Sequence, residues 1–362
     1  MFLCGVYMKE ILILTLYGNN NFGNKLQNYA LQKYLKRINN DINVTTIKVK
    51  YKKNIKEILY FLVFTIFDKI NNKQINKRER KFIDFNNKFI NYTDKYVSLN
   101  SLKKIKGYDY YIYGSDQIWN PYGAGKTNLF IGSLTDNNIS YSASISVNYI
   151  PDNLEEKYNE NLSKFKYISV REQIGKDIIK KITNRNDIKV LVDPTMLLTS
   201  EEWDRIAKKP KQYKGEKFIL NYFLGNISQS RKEAIYKIAK EKNCKVINLL
   251  DKNDPYYVSG PSEFLWLEKH ADLICTDSYH SSVFAILYNR PFVVFDRDQV
   301  GADNMGSRID TLLSKFELKN RKFNGINITK ENLEYDNKEA YEILKREREK
   351  SNKFLKKALD IC

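Results

Sequence analysis

The chain has 362 residues, 42% of them hydrophobic and 29% charged, with 26 tyrosines and 19 phenylalanines; this excludes a disordered chain and allows two domains with separate cores. Its formal net charge is +18, and residues 48–106 alone hold sixteen Lys/Arg against five Asp/Glu. Such a surface suits phosphates, nucleic acid, anionic lipid or acidic glycans, and reads equally as a solvated helical face. The four cysteines (Cys4, Cys244, Cys275, Cys362) are scattered, which argues against a disulfide framework or a structural zinc site and for a reducing, cytoplasmic compartment.

Short apolar runs alternate with amphipathic ones along the chain. The N-terminal MFLCGVYMKEILILTLYG lacks a basic leader region and a cleavage site, so ILILTLYG reads as a buried first strand, with Met8 an alternative start. A helix follows over 26–38, with Leu26, Ala30, Tyr34 and Ile38 at helical spacing, then the strand-like VTTIKVKY. A long basic helical stretch is expected from about 55 to 90. Its ILYFLVFTIF (58–67) is the most apolar segment and is too short to span a membrane. Strand-like YDYYIYGS, ISYSASIS, YISVRE and VLVDP complete the first half, with a helix over 175–182.

The second half begins near Thr199. It offers strands in KFILNYFLG, KVINLL, DLICTD and PFVVFD, with helices over 230–242, 261–271, 281–289 and 307–316. The chain closes in a charged helix from about 337 to 361, whose buried stripe is Ile343, Leu344, Phe354, Leu355 and Leu359. Strands alternating with helices predict parallel sheets, and two such sets predict an α/β protein of two Rossmann-like domains facing across a cleft. The expected division is 1–198, with a basic insertion at about 52–106; 199–335; and a terminal helix, 336–362, packing back on the first domain.

Ligands in such folds sit beyond the carboxyl ends of strands, where four loops stand out. Asn19, Gly23 and Asn24 lie in GNNNFGN, directly before a helix whose N-terminus can face an anion; the same pattern fits a tight turn. Ser115, Asp116 and Gln117 follow YDYYIYG and can bond sugar hydroxyls, or cap a helix with Trp119 as core anchor. Arg171 ends an apolar strand, where a guanidinium can grip a carboxylate or phosphate. His280, one of only two histidines, sits in TDSYHSS at a strand-to-helix turn, placed for proton transfer or for structure; His270 reads as an ordinary helix residue. No spacing suggests a metal site.

Taken together, GNNNFGNKLQNYALQKYL, YDYYIYGSDQIWNP, YSAS, ISVREQIG, VLVDPTMLL and GPSEFLWLEKHADLICTDSYHSSVFAILYNRPFVVF resemble, in order, the polysaccharide pyruvyl transferase family. The resemblance implies a GT-B-like fold and transfer of pyruvate from phosphoenolpyruvate to a sugar as a ketal. It also implies His280 as catalytic residue, Arg171 as anion binder and no cofactor beyond the donor substrate. The chain departs from the family pattern at Ser278, where members can carry a second arginine, and at Ser281-Ser282, where Gly-Thr is frequent. Donor grip is therefore expected from Arg308, at the start of a helix after a Gly-containing loop, with Asp277, Ser278 and Ser281 also at the site.

The acceptor is expected to be a saccharide, in one version lipid-linked at an anionic membrane face, to which the basic segment would add peripheral contact. Two other classes stay open. One is a nucleotide-sugar glycosyltransferase with a pocket near Glu263 and Asp277; the other is a non-enzymatic glycan- or nucleic-acid-binding protein, nucleic acid being the least favoured partner for want of a binding motif.

Overall fold

The computed structural model describes residues 8–18, 20–50, 73–98, 105–132, 134–135, 137–297, 306–323, 325–336 and 338–361. The apolar segment 58–67, Asn19, Cys4 and Cys362 fall outside them. Strands β1 (Lys9–Leu14), β2 (Ile42–Lys50), β3 (Tyr92–Ser98), β4 (Tyr110–Tyr113), β5 (Asn138–Ala143), β6 (Tyr167–Val170) and β7 (Lys189–Val190) form one parallel sheet in the order β3-β2-β1-β4-β5-β6-β7. Strands β8 (Phe218–Tyr222), β9 (Lys245–Asn248), β10 (Leu273–Thr276) and β11 (Phe292–Val294) form a second, in the order β11-β10-β8-β9. Ile11 to Leu14 and Phe218 to Leu220 are wholly buried, which is why these strands read as unbroken apolar runs.

The longer helices are α1 (Phe22–Ile38), α2 (Lys73–Phe89), α3 (Asp152–Leu162), α4 (Gln173–Thr183), α5 (Gln229–Glu241), α6 (Pro261–His270), α7 (Tyr279–Leu287), α8 (Ser307–Lys315) and α9 (Lys338–Ala358). Asn21 starts α1, its side chain accepting from the Asn24 backbone N–H at 3.1 Å. Edge strand β3, read in the sequence only as part of the basic stretch, pairs with β2. Its TDKYVS is polar and short, as a sheet edge requires.

A continuous apolar core runs between the two sheets. Phe22, first residue of α1, stacks on Phe82 of α2 at 5.1 Å and on Phe264 of α6 at 4.5 Å. Aromatic pairs of this kind contribute roughly 0.5–1.5 kcal/mol beyond their area. The terminal helix α9 returns to the first sheet. Arg348 donates to the Met196 and Leu198 carbonyls at 2.7 and 2.6 Å, Tyr34 Oη donates to Asn352 Oδ1 at 3.2 Å, and Phe354 packs near Tyr141 and Tyr167. Among the described residues no helix is long and apolar enough to cross a membrane.

Candidate active site

The strand order reverses between β1 and β4 in the first sheet and between β8 and β10 in the second. These are the positions where open α/β sheets leave a crevice. The loop after β1 leads into Gly23, and the loop after β10 leads into His280. A Cβ added at Gly23 would lie 2.0 Å from His280 Nδ1 and 2.3 Å from its Cγ, so only glycine lets the imidazole rest on the first turn of α1. Gly23→Ala is therefore expected to displace the ring. The shift would appear as a changed His280 signal in histidine-selective NMR and loss of catalysis; an unchanged signal would refute the close approach.

The far side of the imidazole faces Asp193, with Nε2 3.7 Å from Oδ2 and without a hydrogen-bond partner among the described residues. Asp193 is fully buried after β7. Its Oδ2 accepts from Ser115 Oγ at 2.6 Å and Arg171 Nη1 at 2.8 Å, while Oδ1 accepts from the Thr195 N–H at 3.0 Å and Thr195 Oγ1 at 2.7 Å. Burial alone would raise its pKa. His280 first, and Arg171 and Ser115 with it, reverse that and hold the carboxyl well below the usual range. The sequence predicts a strand over VLVDP and no role for Asp193, whereas the strand ends at Val190 and leaves Asp193 in the loop beyond it. Its only local signal is an aspartate closing an apolar run ahead of Pro194.

Arg171 is wholly enclosed. Besides Asp193 it has Asp116 Oδ1 at 3.6 Å from Nη2 and Glu172 Oε2 at 4.0 Å from Nε, and its guanidinium lies 4.7 Å from the Tyr279 ring centre. Burial lowers its pKa, but Asp193 and then Asp116 outweigh that and leave it raised. Its charge is thus already countered by protein carboxylates, which differs from the open anion grip expected of it. Glu172 braces the neighbouring loop, accepting from Ile145 N, Ser146 N and Ser144 Oγ through Oε1 at 2.7–3.0 Å.

Arg308, the first turn of α8, has the opposite environment. With the Gln117 amide oxygen turned toward it, Gln117 accepts from Nη2 at 2.9 Å and Nη1 at 3.2 Å. Among the described residues it has no carboxylate within ion-pair distance, and its Nε is buried without a partner. Burial, reinforced by Arg171, pushes its pKa down to about 10. Asn24 joins the cluster by donating to Leu16 O at 2.8 Å and Asp116 Oδ2 at 3.2 Å.

The structure thus brings Gly23, Asn24, Ser115, Asp116, Gln117, Arg171, His280 and Arg308 together, but the side chains of Ser115, Ser281 and Asp277 are turned to protein partners. Ser115 directs its hydroxyl inward to Asp193. Ser281 donates to Glu268 Oε1 at 2.6 Å, inside the second domain. Asp277 spends both oxygens on the Leu224 and Gly225 N–H groups, at 2.7 and 2.8 Å, and pairs with Arg297 at 3.2 Å. Ser278 caps α7, its carbonyl accepting from Ser282 N at 3.1 Å and Ser282 Oγ at 3.0 Å. Arg297, overlooked in the sequence, brings a further guanidinium close enough to depress Arg308.

Two parallel sheets joined across a cleft, with a histidine, an aspartate and arginines at their carboxyl ends, define a GT-B-like α/β protein. The fold is similar to that of a protein described as a UDP-N-acetylglucosamine 2-epimerase from Listeria monocytogenes, at 12% identity and a TM-score of 0.53, over 96% of this chain and 91% of that one. The UDP-GlcNAc 2-epimerase of Methanocaldococcus jannaschii aligns over 94% and 99% of the two chains, at 15% identity and a TM-score of 0.44. No curated protein sequence matches significantly. A sequence model of the polysaccharide pyruvyl transferase family matches residues 21–299, and the chain belongs to that family.

Proposed function

We propose that the protein transfers pyruvate from phosphoenolpyruvate to two hydroxyls of a sugar in a surface polysaccharide, as a ketal. Family membership supports a transferase acting on polysaccharide. The observation that carries the finer reading is Arg308: a buried guanidinium with no carboxylate within ion-pair distance among the described residues, Glu172 and Asp116 acting only from further off, is completed by an anionic donor. In this reading His280 protonates the donor's methylene carbon, leaving an oxocarbenium-like centre at C2. One sugar hydroxyl adds there, phosphate leaves, and the second hydroxyl closes the ring. One hydroxyl proton ends on the new methyl group and the other on phosphate. Asp193 steadies the imidazolium side of the cycle and Arg171 fixes Asp193. A lipid-linked acceptor at the inner membrane face is the reading best supported by the basic residues flanking 58–67 in the sequence.

The carboxylates on which a nucleotide-sugar pocket would rest are both engaged. Glu263 accepts from the Gly260 N–H at 2.9 Å and pairs with Lys81, and Asp277 is held as above. The test is incubation with phosphoenolpyruvate, nucleotide sugars and β-linked hexose acceptors, following acid-labile ketal and released phosphate. Turnover only with a nucleotide sugar would sink the proposal. Arg308→Met is expected to raise the KM for phosphoenolpyruvate ~10–100-fold, in keeping with loss of about 1.5–3 kcal/mol from a charged hydrogen bond. An unchanged KM would remove Arg308 from donor binding.

A further inference from the structure

A second concave surface lies apart from the His280 cluster and shares none of its residues. It is a groove of about 800 Å³ between α2 and the segments 205–212 and 258–263 of the second half. Lys77, Arg80 and Lys88 line it from α2, and Arg205, Lys208 and Lys211 face them from the other wall. All six are exposed, and among the described residues none lies within ion-pair distance of a carboxylate. Of the two carboxylates in the groove, Glu263 is already paired with Lys81, leaving Asp84 as the other. Phe89, partly exposed, supplies apolar surface between the charged rows, with Phe85 buried beneath it.

The geometry selects among anions. Lys77 and Lys88 stand eleven residues apart on one helix, about 16 Å along its axis. A single phosphate or diphosphate concentrates its charge within a few ångströms and would leave most of the row uncompensated. An extended chain with spaced negative groups meets both walls at once. Sugar rings also present C–H faces to aromatic surface, and the exposed side of Phe89 lies among cations that are spaced along the groove and not gathered in one cluster.

We infer that this groove binds an extended, carboxylate-bearing saccharide chain. Identification of that chain as the enzyme's own product rests on the pyruvyl-transfer reading, because each ketal leaves one carboxylate on the modified unit. In that case the already modified stretch is held in the groove while the next unit occupies the cleft.

Binding of a galacturonate oligomer long enough to span the helix row, read by fluorescence anisotropy at low salt, tests the site with a neutral dextran oligomer as control. Wild-type protein is expected to bind the galacturonate, ever more weakly as salt rises, and not the dextran. Lys208→Glu/Lys211→Glu and Lys77→Glu/Lys88→Glu each alter one wall at exposed positions, and each is expected to weaken binding at least tenfold. His280→Ala is expected to leave it unchanged. The inference is overturned if neither wall matters, if His280→Ala abolishes binding, or if tripolyphosphate or oligo(dT) binds more tightly than the galacturonate. Intact galacturonate binding by a protein that forms no ketal supports the groove and removes the transfer reading, so the two failures are distinguishable.

Discussion

His280→Ala is expected to slow pyruvyl transfer by ~10²–10⁴-fold, the usual contribution of a positioned acid or base, with a smaller loss of thermal stability than Asp193→Ala. The imidazole makes no close hydrogen bond through Nε2, so its removal costs Asp193 a charged neighbour at 3.7 Å and leaves its bonds to Ser115, Arg171 and Thr195 in place. Asp193→Ala should cost more stability. It leaves Arg171 buried without its 2.8 Å partner and the Ser115 hydroxyl without its acceptor, and breaking a buried pair costs roughly 3–5 kcal/mol. Single-turnover phosphate release together with a thermal melt separates the two variants. Wild-type turnover in His280→Ala would demote the histidine to packing, and an unaltered melt in Asp193→Ala would contradict the network around Arg171.

The second large effect concerns Lys25, on the first turn of α1. Its side chain is fully buried, donates to Tyr92 Oη at 3.2 Å and lies 4.8 Å from the Tyr17 ring centre, with no carboxylate partner among the described residues. Burial lowers its pKa from 10.5 to about 7. Between those values the unfolded chain binds a proton that the folded protein does not, so Lys25 makes stability rise with pH from about 7 to about 10.5. The full span is worth roughly 5 kcal/mol at most. Lys25→Met removes this dependence. Urea midpoints of the two proteins should therefore converge as pH climbs from 7 toward 10, with the variant more stable at pH 7. Parallel curves would show that Lys25 is charged and solvated in the folded state.

The parallel sheets were legible because strands covered on both faces must be apolar throughout, as EILILTLYG and DLICTD are. The loops that follow them were legible for the complementary reason, since polar residues at those ends have no core to fill. Edge strand β3 escaped notice because its exposed rim calls for charge rather than hydrophobicity. Asp193 escaped because its meaning lies in Arg171, Ser115 and His280, which reach it from three other segments. The inward turn of Ser281 depends likewise on Glu268 from a different helix, and the burial of Lys25 on tyrosines from β3 and from the loop after β1. Periodicity reports which face of an element is covered, and not what covers it.

The Phe22 stack has a mechanical consequence. Residue 22 is clamped by rings from both halves of the molecule, and residue 23 is the surface on which His280 rests. A hinge motion parting the halves would have to break the Phe22–Phe264 stack, and would carry the imidazole of His280 away from Gly23 as it did so. On the proposed mechanism, proton transfer by His280 would therefore depend on the angle between the two halves.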